Sequence, residues 1–225
     1  MQTNSDYRTK VLHHYNRAAN IYDLFEFIRH GTRKKVVDLS GWQPGETVLD
    51  VCTGTGELAF TFARLGAQVV GIDIAINMLN RAIDKTIGTQ PTWQEMDATE
   101  LQFEENSFDI STLSLALHHM PENIQHHVLS EMARVTRRCV ILIEPHTPYN
   151  DRLKTFWGAM ASVIDESEYM PQWAKQDFNQ TCQQAGLKVE NQLITTLYIH
   201  RITRCRPMIN GDNHKTPCQT HLPKI

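Results

Sequence analysis

The residues with the clearest chemical use are two glycines and an acid. Gly54 and Gly56 follow a short apolar run at residues 48–51. Glycine has no Cβ, so the backbone can turn tightly and a ligand can approach it, while a helix start near Glu57 presents unpaired N–H groups to a polar or anionic group. Asp73 closes the next apolar run, where a carboxylate can bind the two hydroxyls of a ribose. This spacing predicts a strand, a glycine turn and a helix that together bind a nucleoside.

A second acid indicates which subtype of glycine motif this segment is. Asp50 precedes Gly54 by four residues, which gives the pattern Asp-x-x-x-Gly-x-Gly. A strand that binds a dinucleotide usually stays apolar up to its first glycine. With Asp50 in place, the segment VLDVCTGTGELAF at residues 48–60 resembles the glycine motif of the class I S-adenosylmethionine-dependent methyltransferases.

Two further segments carry the resemblance. The run YNRAANIYDLF at residues 15–25 looks like the N-terminal segment of the ubiquinone/menaquinone C-methyltransferase-like subgroup, where it caps the cofactor and substrate pocket. Residues 108–121, from Phe-Asp-Ile to Leu-His-His-Met-Pro, resemble the fourth family motif and the loop that follows it. The resemblance runs from about Tyr15 to Pro145, and more loosely to Arg206, and the order of the motifs is more specific than any one of them.

The resemblance implies an α/β fold. This is a Rossmann-like, seven-stranded, mostly parallel sheet with an antiparallel strand, with helices on both faces and an N-terminal helical lid. We expect the lid at residues 1–40, the cofactor-binding core at residues 41–206, and a polar, flexible tail at residues 207–225.

The resemblance also implies S-adenosyl-L-methionine as the cofactor. The residues that it assigns to cofactor binding are Tyr22, Asp50, Thr53, Gly54, Gly56, Asp73, Ile74, Met78, Asp97, Ala98 and Ser114. Three of them have alternative interpretations. Tyr22 could simply pack a helix face, Met78 could be plain core, and Asp97 could cap a short helix instead of binding the adenine amine.

Four residues are candidates for catalysis or for positioning the acceptor. His118 and His119 follow the fourth strand, and Glu144 and His146 emerge from the apolar strand at residues 139–143, at the sheet edge where ligands bind. The leaving group of this family is a neutral thioether, so no general acid is required and a base is needed only if the acceptor loses a proton. The alternatives are that the histidines bond backbone groups and that Glu144 anchors the loop by accepting backbone N–H bonds.

The periodicity of the second half predicts the supporting elements. A helix at residues 124–135 buries an apolar stripe and leaves Gln125, His126 and Glu131 toward water, and a single helix covers residues 173–185. Residues 187–206 predict a hairpin that closes the sheet. A basic cluster around Arg33 is interpreted either as a solvated helix face or as a contact for an anionic group.

Composition narrows the functional class. The chain has 225 residues, enough for one domain, and a net charge of −3 from 22 basic and 25 acidic residues, so no nucleic-acid partner is expected. No apolar run reaches the roughly 20 residues of a membrane span and the start has no secretory core, so we expect no transmembrane segment and a cytoplasmic protein. The five cysteines predict reduced thiols, and the Cys/His residues of the tail fit no strong zinc pattern, so no metal is predicted.

These observations predict S-adenosylmethionine-dependent methyl transfer to a small-molecule acceptor by in-line displacement. Two alternatives remain. A nicotinamide-dependent oxidoreductase shares the strand, turn and acid, but it does not predict Asp50 and Asp97 together with the segment at residues 109–120. A non-catalytic, methyltransferase-like binding protein would carry an eroded glycine loop, whereas this loop is intact. The acceptor and the oligomeric state stay open.

Overall fold

Apolar runs alternate with helical stretches along the chain and assemble into one seven-stranded sheet. The structure is a computed structural model that describes residues 26–88, 90–146, 168–195 and 200–208. The strands are β1 (Thr47–Val51), β2 (Gln68–Asp73), β3 (Thr92–Glu95), β4 (Phe108–Ser114), β5 (Thr136–Pro145), β6 (Leu187–Ile194) and β7 (His200–Pro207). The described helices are α1 (Glu26–Ser40), α2 (Glu57–Arg64), α3 (Ile76–Lys85), α4 (Glu122–Val135), α5 (Met170–Trp173) and α6 (Phe178–Gln184), with a 3₁₀ turn at Leu117–His119.

The strand order is β3-β2-β1-β4-β5-β7-β6. Strands β1 to β5 pair in parallel, whereas β7 runs antiparallel to both β5 and β6. This confirms the expected Rossmann-like, mostly parallel sheet with an antiparallel strand and a closing hairpin. Because β7 is reversed, its first residues lie at the carboxyl edge of the parallel strands, where ligands bind in open α/β sheets.

Alternate residues of the central strands point into two separate hydrophobic cores. Leu49 and Val51 of β1 belong to the core under α4 and α6, while Val48 belongs to the core under α1 and α2. The period of two is what a strand buried on both faces requires. Helices therefore cover both faces of the sheet, as expected.

Two arginines of the sheet fix the C-terminal end of α1. Arg138 on β5 donates from Nη1 to the Ser40 carbonyl at 2.9 Å, and Arg204 on β7 donates from Nη1 to the Leu39 and Ser40 carbonyls at 2.7 and 2.8 Å. The last carbonyls of a helix have no partner within it, and cations are stabilising at that end. The side chains of Arg138 and Arg204 therefore anchor α1 to β5 and β7.

Two expectations for the second half were wrong. The predicted helix at residues 173–185 is interrupted, because the Asp177 carboxylate accepts the backbone N–H groups of Asn179 and Gln180 and thereby starts α6 as a separate helix. On α4, Gln125 is buried and Glu131 is half-buried, although both were expected toward water. The Gln125 amide donates to the Met120 carbonyl at 2.9 Å, so its polar atoms are satisfied inside the core.

Some predictions lie outside the described residues. These are Tyr22, the first 25 residues of the expected lid and the tail from residue 209 onward. The division into lid, core and tail stays a prediction.

Candidate functional site

The two glycines of the turn have different surroundings. Gly54 has φ +56°, and a Cβ placed on it would meet no atom within 4 Å, so its backbone faces open space. Gly56, at the start of α2, has φ +87°, and a Cβ there would lie 2.4 Å from the Trp93 ring. Gly54 therefore suits the close approach of a ligand, whereas Gly56 makes room for Trp93. The sequence interpretation had given both glycines the same role.

Asp50 lies beneath the turn and is 2% exposed. Its carboxylate accepts the Thr53 hydroxyl at 2.6 Å and the Thr112 hydroxyl at 2.5 Å. Burial, with a smaller contribution from the nearby charge of Asp73, raises the pKa of Asp50 to about 6, although the two hydroxyl bonds act to lower it. The carboxylate thus joins the turn to β4 and places an acidic group below the ligand-binding edge.

Asp73 ends β2 and ties the turn to the next loop. Its two carboxylate oxygens accept the backbone N–H groups of Gly54 and Ala75, each at 2.8 Å. Burial raises the pKa of Asp73, while these backbone bonds oppose the shift. The side chain is half-buried, and each carboxylate oxygen can accept a second hydrogen bond. The geometry is therefore compatible with ribose hydroxyls binding at this position.

An open cleft lies beside the turn. It is bounded by α1, the glycine turn, the start of α2 and the ends of the central strands. The residues that line it are Thr32, Arg33, Val36, Asp50, Cys52, Thr53, Gly54, Thr55, Glu57, Leu58, Ser114, Leu115, Ile143 and His200. Four residues assigned to the cofactor from sequence, Asp50, Thr53, Gly54 and Ser114, are among them.

Sequence reasoning missed other residues of this cleft. His200 reaches it because β7 begins at the carboxyl edge, which the predicted hairpin could have indicated. Arg33 reaches it from α1, and its only signal was the basic cluster. Cys52 and Leu115 have φ values of 53° and 54°, an uncommon backbone conformation for residues with side chains that gave no sequence signal.

The residues assigned to the adenine end do not line the cleft. Asp97 accepts the N–H and the hydroxyl of Thr99 at 2.8 and 2.7 Å, as a capping residue does. Met78 is 1% exposed and Ala98 is 9% exposed, while Ile74 is half-buried. Their assignment to cofactor binding stays a prediction.

Two of the four catalytic candidates form one buried unit. Glu144, 1% exposed, accepts the backbone N–H groups of Ala116 and Leu117 at 3.1 and 2.9 Å through Oε1. Its Oε2 lies 2.6 Å from Nδ1 of His118, which is 2% exposed. An ionised carboxylate only accepts, so His118 donates from Nδ1 and its lone pair is on Nε2. Glu144 thus holds the loop after β4, as one of its alternative interpretations proposed.

The other two candidates are His119 and His146. The His119 ring is half-buried and its centroid lies 4.1 Å from that of His118. His146 is 6% exposed, and burial together with the charge of Arg201 lowers its pKa. None of the four candidates lines the cleft itself. Contact between an acceptor and any of them is therefore a proposal.

Comparisons with known proteins agree with the fold and the turn. Residues 48–138 match a family described as "Methyltransferase domain". The chain is 38% identical over 133 residues to the ubiquinone/menaquinone biosynthesis C-methyltransferase UbiE of Bdellovibrio bacteriovorus, which covers 57% of this chain and 55% of the relative. It is 30% identical over 159 residues to a 2-phytyl-1,4-naphtoquinone methyltransferase of Nostoc, which covers 63% of this chain and 67% of the relative.

The first of these matches spans just over half of its relative, and the second about two thirds. A methyltransferase class was already indicated by the parallel sheet, the Asp-x-x-x-Gly-x-Gly turn and the acid at the end of β2. The chain belongs to the class I S-adenosylmethionine-dependent methyltransferases, in the subgroup that includes UbiE.

Solved structures support the fold. Magnesium protoporphyrin IX methyltransferase from Synechocystis, with bound S-adenosylmethionine, has a TM-score of 0.63 at 20% identity, covering 92% of this chain and all of that one. A methyltransferase in complex with the Trm112 activator of Haloferax volcanii has a TM-score of 0.69 at 15% identity, covering 87% of this chain and 98% of that one. At these identities the likeness concerns the fold alone.

Two features are absent from the described ranges. No described helix is both long and apolar enough to cross a membrane. Within the same ranges, no group of three or more His, Cys, Asp or Glu side chains is arranged to hold a metal ion. Cys52, Cys139, Cys182 and Cys205 are free thiols, as the cysteine count predicted.

Proposed function

We propose that this chain transfers a methyl group from S-adenosylmethionine to a small-molecule acceptor. The observation that carries the proposal is the Asp73 carboxylate, which is bonded to the Gly54 N–H at the edge of an open cleft. The Asp73–Gly54 pair combines an acid suited to ribose hydroxyls with a backbone that a ligand can approach. Family membership supports the same reading and does not favour a nicotinamide-dependent oxidoreductase.

The residues of the cleft and of the neighbouring strand ends fit this cofactor. The backbone at Gly54 would contact the methionine portion, the Asp73 carboxylate would accept the ribose hydroxyls, and Asp97 is the candidate acceptor for the adenine amine. When bound, S-adenosylmethionine supplies an electrophilic methyl group on a sulfonium. The protein then contributes orientation and exclusion of water, which are the main sources of catalysis for a displacement of this kind.

We further propose separate roles for the four catalytic candidates. Glu144 positions the loop after β4 and fixes the His118 ring, because three donors already surround its carboxylate. His119 is less buried than His118 and packs against it, so it is the better candidate to contact an acceptor. His146 stays a candidate, and its lowered pKa favours the neutral imidazole that a base requires.

The names of the relatives suggest which acceptors to test first. Those relatives are methyltransferases of ubiquinone and menaquinone biosynthesis and of 2-phytyl-1,4-naphthoquinone. A reduced quinone ring is a carbon nucleophile once a phenolic proton is lost, a step that a histidine base would assist. We therefore propose a quinol-type ring as the acceptor. A cytoplasmic location and the lack of a nucleic-acid partner stay predictions from sequence.

The test is a calorimetric titration with S-adenosylhomocysteine and, separately, with NADH. We expect S-adenosylhomocysteine alone to bind. Asp73→Asn should weaken it roughly 10- to 100-fold, because bonds to a charged group contribute about 1.5–3 kcal/mol. Asp84→Asn, which removes the same charge from an exposed position on α3, is the matched control and should bind normally. Failure of S-adenosylhomocysteine to bind would refute the proposal, and formation of S-adenosylhomocysteine from S-adenosylmethionine in the presence of a quinol would identify the acceptor class.

A further inference from the structure

His200 is the one histidine among the described residues that line the cleft. It shares a face of β7 with Ile202, which belongs to the core under α1 and α2, and that core also contributes lining residues to the cleft. Glu144 shares a face of β5 with Leu142, which belongs to the other core. Because side chains alternate along a strand, His200 lies on the cleft side of the sheet and Glu144 on the opposite side. The cleft therefore contains a histidine that the sequence motifs did not indicate.

The backbone of His200 is anchored at the start of β7. Its N–H donates to the Thr195 hydroxyl at 3.1 Å, and its carbonyl accepts the Thr195 N–H at 2.8 Å. On β5 it lies opposite Pro145, at the carboxyl edge of the parallel strands. These bonds use backbone atoms alone, so any residue except proline could make them. They hold the imidazole at the edge of the cleft without requiring that the residue be a histidine.

The other ionisable groups that line the cleft are less suited to remove a proton. Asp50 lies beneath the turn and already accepts two hydroxyl groups, and Glu57 accepts a hydrogen bond from Lys85 at 3.0 Å. Burial raises the pKa of Cys52 well above its ordinary value, so its thiol keeps its proton. The arginine of the cleft has no acceptor atom. Imidazole is the side chain that can be neutral and basic near pH 7, which favours His200 among the described lining residues.

We infer that His200 is the general base of the methyl transfer and takes the proton from a hydroxyl group on the acceptor ring. The inference rests on the proposed function and assigns a residue beyond the four candidates from the sequence. Such a base contributes only if it lies beside the reacting acceptor, and the cleft beside the glycine turn is where the acceptor has to meet the methyl group.

The proton transfer and the methyl transfer balance as follows. The acceptor O–H bond breaks as its proton moves to an imidazole nitrogen of His200, and the electron pair left on the oxygen makes a ring carbon nucleophilic. That carbon forms a bond to the methyl group while the bond from the methyl group to sulfur breaks, and the electron pair of that bond stays on sulfur. The ring carbon then loses its hydrogen as a proton and the oxygen regains one, so one proton is released in total.

The test uses the unmodified chain, His200→Ala and His127→Ala, with the reduced form of 2-phytyl-1,4-naphthoquinone as the acceptor. We expect His200→Ala to lower kcat roughly 100- to 10,000-fold, the usual contribution of a general base, and to change the affinity for S-adenosylhomocysteine less than about 2-fold. Imidazole added to the solution should restore part of this kcat, because a small base can enter an open cleft. His127 is exposed on α4, so its replacement is the matched control and should change neither quantity.

Each outcome has a distinct meaning. If the unmodified chain does not bind S-adenosylhomocysteine, the proposed function fails. If it binds S-adenosylhomocysteine but does not methylate the quinol, or if His200→Ala keeps its kcat, the inference is overturned while cofactor binding stands. A loss of kcat that imidazole does not restore would also overturn it, because it would show a structural role. If urea unfolding shows that His200→Ala does not fold, His200→Gln takes its place, and full activity of that variant would contradict the inference.

Discussion

Replacing Gly71 by alanine tests how tightly the Trp93 ring packs between β2 and the glycine turn. A Cβ on Gly71 would lie 2.5 and 2.6 Å from two ring carbons of Trp93 and 3.1 Å from the Thr53 hydroxyl. Gly71 does not have a positive φ, so the strand backbone accepts alanine and the cost is steric. The Trp93 ring cannot move away easily, because its Nε1 donates to the Thr86 hydroxyl at 2.8 Å and the ring packs against Phe60 in a T-shaped arrangement.

We expect Gly71→Ala to lower the free energy of unfolding by about 1–3 kcal/mol, the usual cost of overpacking. Trp93→Ala should cost about 2–4 kcal/mol, since the ring is only half-buried. In the Trp93→Ala background the clash with the ring is gone, and alanine gains roughly 0.5 kcal/mol over glycine in a strand. Gly71→Ala should therefore be nearly neutral there, which gives a coupling of roughly 2 kcal/mol.

Urea denaturation of the four proteins, followed by circular dichroism, measures this cycle. The same four proteins should be titrated with S-adenosylhomocysteine, because the Trp93 ring also packs under Gly56 and its loss should weaken cofactor binding. Equal costs of Gly71→Ala in both backgrounds would refute the reasoning. So would a cost below about 0.5 kcal/mol in the unmodified chain, the ordinary range for harmless substitutions.

Three further predictions concern single carboxylates. Because the pKa of Asp50 is about 6 in the fold and about 3.9 in unfolded peptides, the native state keeps its proton longer. The chain should therefore lose about 2 kcal/mol of stability between pH 4 and pH 7 that Asp50→Asn does not lose; parallel curves in urea unfolding would contradict this. Glu144→Gln should turn an amide N–H toward His118 and move its ring proton from Nδ1 to Nε2, so ¹⁵N spectra that show Nδ1 still protonated would oppose it. Asp177→Ala should cost about 1 kcal/mol by uncapping α6 and Asp177→Asn much less, which thermal unfolding would measure, and equal losses would argue against capping.

The sheet could be predicted from sequence because its signals are local. Apolar runs of strand length end at Asp73 or lead into a glycine turn, which marks the strands, while the arrangement of the seven strands was implied by the family resemblance. The position of Asp73 next to the Gly54 N–H follows from this arrangement alone. Such features can be predicted from short segments, without knowing which side chains distant in sequence contact them.

The remaining features depend on contacts that the sequence pattern does not contain. Gly56 makes room for the ring of Trp93, which lies far along the chain, and the motif alone does not indicate this second role. Gln125 has the polarity of a surface residue, yet the Met120 carbonyl and the Gln176 amide satisfy it in the core. Arg33 belongs to the cleft because α1 crosses the sheet there. In each case a partner from another element decided the environment.

Because its C-terminal end is anchored, α1 can tilt about that end. The bonds from Arg138 and Arg204 hold its C-terminal carbonyls, so any tilt of the helix pivots about Ser40. Arg33 lies about 10 Å from that pivot at about 1.5 Å per residue, and a tilt of about 10° would move it by about 2 Å. Such a displacement is enough to make or break a hydrogen bond. Arg138 and Arg204 therefore influence how far Arg33 reaches into the cleft.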